Sequence, residues 1–119
     1  MPTHHQALKF AQDWIAAWNS HDLDRVLSHY SHGFEMSSPF IKTVAGNNSG
    51  TLQGKAAVGA YWKEAFHQFP DLRFELIEAY AGVNSICIVY KSVQKLRAIE
   101  WFEFDASGLI RRAMAHYNQ

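Results

Sequence analysis

Cysteine is almost absent from the chain. Cys87 is the only one, so no disulfide can form within it, and its place in the apolar run Ile86-Cys87-Ile88-Val89 reads as a buried, inert thiol. An excess of either charge is also missing. Eleven Lys and Arg face eleven Asp and Glu, and no basic run approaches the stripe that nucleic acid or an anionic membrane surface requires, so neither is expected as a partner. No apolar run reaches the length of a membrane span, and the opening MPTHHQALKF has no apolar signal core. A soluble, cytoplasmic protein is expected. Metal-ligand sets are lacking as well. His4 and His5 point in different directions from a helix start, and His29 and His32 have no third ligand at matching spacing, so no metal or other cofactor is expected. With no repeat, linker or low-complexity tract, residues 1–119 make one domain, able to bury about two-thirds of its unfolded surface.

Aromatic side chains, by contrast, are plentiful. They make up 14% of the chain and include four Trp, more than a small core needs for filling, which suits an enclosed apolar cavity. Ala11, Trp14, Ile15 and Trp18 recur at three- and four-residue spacing and predict a helix over about 6–19 that buries two indoles. Asp22 caps a second helix, whose Leu23, Val26, Leu27 and Tyr30 share a face. The period then becomes two: Phe34, Met36 and Ser38 fall on one side of a strand and Glu35 and Ser37 on the other, until Pro39 stops it. Residues 40–53 have no sustained period and read as a loop, either a lid over a pocket or a passive surface connection. Val58, Tyr61, Trp62, Ala65, Phe66 and Phe69 mark a third helix, ended by Pro70. Four alternating strands follow, beginning near Leu72, Ile86, Leu96 and Leu109, with the strand before Pro39 as a fifth.

From Asp13 to Pro39 the sequence resembles, without a gap, the N-terminal part of the ketosteroid isomerases within the NTF2-like or SnoaL-like superfamily. The shared pattern is an aromatic residue, Ala16-Ala17, Asn19, Asp22-Leu23-Asp24, an amphipathic helix and a strand ending in proline. Gly54-x-Ala56-Ala57-Val58-x-x-Tyr61-Trp62 is similar to a further segment of that superfamily. Ile99-Glu100-Trp101-Phe102-Glu103-Phe104, followed by Gly108-Leu109-Ile110, is similar to a third. The resemblance implies an α+β fold, an NTF2-like (cystatin-like) cone with three N-terminal helices packed on a curved antiparallel sheet around a ligand pocket. It also implies a homodimer, consistent with a semi-apolar outer sheet face bearing Trp101, Met114 and His116.

Enolising a ketone needs a base near the acidic carbon and donors aimed at the oxygen that becomes negative. In the isomerases these are an Asp, a Tyr and a protonated Asp in an apolar site. Carried over through the resemblance, the donor tyrosine falls on Trp14, the protonated acid on Glu100 and the base on Ser38. Trp14 keeps an N–H donor. A serine is basic only when a neighbour takes its proton, and no His shares the face of Ser38. Alternation puts Glu100, Phe102 and Phe104 on one face, so the Glu100 carboxyl looks inward and resists ionisation. It serves either as donor or proton shuttle, or only to satisfy buried polar atoms. Trp18, Tyr30, Met36, Tyr61, Trp62, Tyr90, Phe102, Ala115 and Tyr117 are the candidate ligand-binding residues around Glu100, Trp14 and Ser38. Tyr61 and Trp62 read equally as core filling. The favoured reading is a protein with an apolar pocket for a small carbonyl-bearing hydrophobic ligand, with isomerase or lyase chemistry at Glu100. The alternatives are a non-catalytic ligand-binding or dimerisation module and a SnoaL-like polyketide cyclase.

Overall fold

A computed structural model describes residues 2–118. The helices form where capping and periodicity place them. Helix α1 (His4–Asn19) starts at a reciprocal cap, Thr3 accepting from the Gln6 N–H and Gln6 from the Thr3 N–H, and buries Ala7, Ala11, Trp14, Ile15 and Trp18 on one stripe. His21 takes a left-handed backbone with φ 59° at the turn, and Asp22 caps α2 (Leu23–Leu27). Tyr30 does not extend that helix, as its spacing suggested. It opens strand β1 (Tyr30–Ser37), because α2 ends after one turn and the chain is already extended at residue 30.

Residues 40–53 are not a featureless loop. Ser38 accepts a hydrogen bond from the Phe40 N–H, Pro39 occupies the first helical position, and a short helix α3 (Pro39–Val44) follows. The proline that ends β1 therefore also starts a helix. Strand β2 (Thr51–Gln53) then pairs antiparallel with β1, Met36 opposite Leu52. Helix α4 (Lys55–Gln68) packs closely on α2 at Gly59, where a Cβ would meet Leu27 Cδ1 at 3.3 Å.

Strands β3 (Glu75–Gly82), β4 (Ser85–Lys91), β5 (Arg97–Phe104) and β6 (Ile110–Tyr117) form the expected meander. Leu72 and Phe74 are buried but precede β3 instead of opening it. The sheet has six strands in the order β2-β1-β6-β5-β4-β3, and it is mixed: β1 runs parallel to β6, with Met36 opposite Ala113. A parallel pair needs a long connection, and the whole chain between β1 and β6 supplies it. Helices α1 and α4 cover one face, where Trp14 meets Phe102 at 5.3 Å and Trp62 meets Tyr30 at 5.1 Å between ring centroids. On the other face, Tyr80, Cys87, Trp101 and Met114 lie in one cross-strand row, with Val89, Ile99 and His116 in the next. Cys87 is thus half-buried on the outer face and not in the core. No helix among the described residues is long and apolar enough to cross a membrane.

Candidate functional site

Between the helices and the sheet lies a chamber of about 160 Å³. Trp14 and Trp18 come to it from α1, Tyr61, Trp62 and Ala65 from α4, and Met36 and Ser38 from the end of β1. The sheet contributes Tyr90, Glu100 and Tyr117. Pairing explains why these three meet. Ala98 stands between Tyr90 and Tyr117, and Glu100 is two residues further along β5 on the same face.

Glu100 is 3% exposed, and among the described residues it has no ion-pair partner. Its Oε1 accepts a hydrogen bond from the Tyr90 hydroxyl at 2.9 Å. Burial pushes its pKa up to about 7, against a partial downward pull from Tyr90. Such a carboxyl holds or releases a proton at neutral pH with little bias. The Tyr61 and Tyr117 hydroxyls stand near Ser38, and Tyr117 lies beside Tyr90, across Ala98. Ser38, Tyr117, Tyr90 and Glu100 line the same chamber, with Tyr90 and Glu100 joined by that hydrogen bond. Burial pushes Tyr61 up to about 12, and pushes Tyr90 and Tyr117 well up too, reinforced by the charge of Glu100, so all three remain neutral donors.

Trp14, Trp18, Met36, Ser38, Tyr61, Trp62, Tyr90, Glu100 and Tyr117 line the chamber. Tyr30, Phe102 and Ala115 do not. They are buried behind the wall, Tyr30 accepting the Trp14 N–H at 2.9 Å and Phe102 packing edge-on to the same indole. The N–H carried over as a ligand donor is thus already engaged. Among the described residues Ser38 has no hydrogen bond to a histidine or an acid; its oxygen caps α3. Among the described residues no group of His, Cys, Asp and Glu could hold a metal ion, and His29 turns its Nδ1 to the Arg25 carbonyl.

Several lining residues escaped the sequence reading. Phe40 packs on Tyr117 with ring centroids 4.5 Å apart, and Phe69, Leu72 and Phe74 close the wall near α4. Leu72 and Phe74 are held there by the end of α1. The Asn19 side chain donates to the Phe74 carbonyl at 2.9 Å and accepts its N–H at 2.7 Å, while His21 Nε2 meets the Leu72 carbonyl at 2.7 Å. The signal available was Asn19 at the end of the helix and His21 in the turn after it, polar residues with no local partner.

A mixed sheet curling beneath helices to enclose an apolar chamber is the NTF2-like, cystatin-like architecture. A protein of unknown function with cystatin-like fold from Methylobium petroleophilum superposes with TM-score 0.77 at 22% identity, covering 98% of this chain and 78% of that one. The chain belongs to the SnoaL-like family, whose domain profile matches residues 11–113. It is 50% identical to a SnoaL-like protein of unknown function from Burkholderia thailandensis, with TM-score 0.95 and 98% of each chain covered. A candidate isomerase of the SnoaL-like family from Agrobacterium tumefaciens shares the fold at 18% identity and TM-score 0.77, over 97% of this chain and 99% of that one. No curated protein matches the chain.

Proposed function

We propose that the chain is a small-molecule-binding SnoaL-like protein whose chamber takes an apolar, carbonyl-bearing ligand, and that Glu100 moves a proton on it as an isomerase does. The observation that carries this reading is a buried carboxyl, with no cation partner among the described residues and poised near neutrality, in a wall that is mostly aromatic and aliphatic. With Tyr90 on Oε1, the second oxygen, Oε2, is the one left for a substrate. As carboxylate it removes a proton from the carbon beside the carbonyl. The Tyr61 or Tyr117 hydroxyl donates to the carbonyl oxygen as charge builds there, and the protonated Glu100 returns the proton to a second carbon. The sum is an isomerisation, with nothing oxidised or reduced. A candidate polyketide cyclase from Sinorhizobium meliloti shares the fold, but aldol cyclisation needs a further base, and the described residues of this chamber include no second acid and no histidine.

The test is proton exchange. A ketone incubated with the protein in deuterated water should take up deuterium at its α-carbon, and Glu100→Gln should abolish the uptake while binding persists. Binding without uptake in the unaltered protein would leave a non-catalytic ligand-binding module. The reading includes a homodimer through the outer sheet face, where Trp101 lies beneath Arg112 and Ile99 is 46% exposed. Sedimentation of Trp101→Glu against the unaltered chain tests it.

A further inference from the structure

We infer that the chamber is a single-ring site, built for one six-membered ring carrying a carbonyl or enol oxygen and too small for a fused-ring ketone. This rests on the chamber being the ligand site proposed above. Its volume of about 160 Å³ is the measure that decides. An engineered apolar cavity of about 150 Å³ in another protein accepts benzene, so the space here suits one ring with a small substituent. A four-ring skeleton would have to displace packed indoles: Trp14, Trp18 and Trp62 are each at most 5% exposed, and Trp18 meets Trp62 edge-on at 5.1 Å.

The polarity of the wall fixes how the ring lies. Tyr90, Glu100 and Tyr117 stand together on adjacent strands, with Tyr90 bonded to Glu100, and with Ser38 and Tyr61 they make the inner polar part of the chamber, which holds its one acid group. None of them lines the neighbouring outer groove. Besides Phe74, residues Gln68, Phe69, Leu72, Ser92, Val93 and Gln94 line both spaces and therefore form the passage between them, which has neutral polar groups but no acid. The oxygen of the ligand goes inward to the tyrosines and Glu100, the ring lies against the indoles, and any substituent opposite the oxygen points out through the passage. One lip of that passage is fixed by Asn19 and His21; the other carries left-handed Gln94 and Lys95, with φ 56° and 62°. A substituent para to the oxygen is thus tolerated, and a second fused ring is not.

The experiment compares cyclohex-2-enone, a fused bicyclic enone and a steroidal 4-en-3-one by tryptophan quenching and thermal shift. Cyclohex-2-enone should bind and the steroid should bind at least about tenfold more weakly, the penalty expected for overfilling a packed core. Ala65→Phe, which fills the chamber from the half-buried face of α4, should remove the cyclohexenone response, with Ala65→Leu as the milder variant should the first not fold. Equal or tighter binding of the steroid, lost in either variant, would overturn the single-ring inference and leave the proposed function standing. Absence of any response to all three ketones would overturn both. Binding of the single ring without deuterium uptake would leave the size inference intact and remove the catalytic one.

Discussion

Trp14 gives its indole N–H to the Tyr30 hydroxyl at 2.9 Å, with both side chains out of solvent. The pair joins the first helix to the first strand beneath the chamber, and it consumes the donor that a ligand oxygen would otherwise use. Removing the hydroxyl leaves a buried N–H unpaired, which costs about 1–3 kcal/mol. Tyr30→Phe should therefore lower stability in denaturant titration by that amount while leaving ligand affinity within about twofold, since such a substitution removes no chamber contact. A large loss of affinity at unchanged stability would mean that Tyr30 reaches the ligand.

Glu100 ties stability to pH. Its carboxyl titrates near 7 when folded and near 4.5 in its ordinary state, so between those values the folded chain holds a proton that the unfolded chain has released. Stability falls as pH rises across that window and is flat above it, by about 3 kcal/mol in all. Glu100→Gln cannot charge. Its melting temperature should be less dependent on pH between 4.5 and 7, and at pH 8 it should exceed that of the unaltered chain by on the order of 10 °C. Parallel pH profiles for the two proteins would show that the carboxyl is not the buried titrating group.

Tyr90 sets where that titration falls. Its hydroxyl donates to Oε1 and favours the charged form, so Tyr90→Phe should raise the Glu100 pKa. If Glu100 is the base, α-deuteration should rise with pH to a plateau in the unaltered protein. In Tyr90→Phe the same rise should move to higher pH, with the plateau reduced by less than the loss in Glu100→Gln. A lower plateau with an unmoved inflection would make Tyr90 a structural neighbour only.

How much of this was legible in the residues depends on the range over which each is determined. Helix α1 and the strand faces carrying Tyr90, Glu100 and Tyr117 follow from local spacing, because a stripe of period 3.6 or 2 is written into adjacent residues. The inward turn of Glu100 was readable for the same reason. Ser38-Pro39 was misread because one signal serves two purposes: proline stops a strand and also opens a helix, and only the cap to the Phe40 N–H shows that both occur. The parallel pairing of β1 with β6 and the meeting of Ser38, Tyr61 and Tyr117 around one chamber join residues far apart in the chain, and no local pattern encodes them. Tyr30 lies between these cases. Its helical spacing from Val26 and Leu27 is real, but the strand pairing Tyr30 opposite Ile110 prevails over it.

Ser38 offers the sharpest contrast between inherited position and present chemistry. It stands where the resemblance to the isomerases would put a base, yet its oxygen accepts the Phe40 N–H at 3.2 Å, and among the described residues it has no hydrogen bond to a histidine or an acid. Its work is to start α3. Ser38→Ala should cost about 1 kcal/mol of stability through the lost cap. Deuterium uptake should fall by less than about tenfold, because removing a general base costs about 10²–10⁴ and Ser38 is not one. Ser38→Asp, in turn, would add a carboxylate 5% exposed in the same chamber as Tyr61 and Tyr117, and an increase in uptake would show that the chamber can still accommodate a second acid. A loss of a thousandfold or more in Ser38→Ala, with α3 still folded by circular dichroism, would overturn the assignment of the base to Glu100.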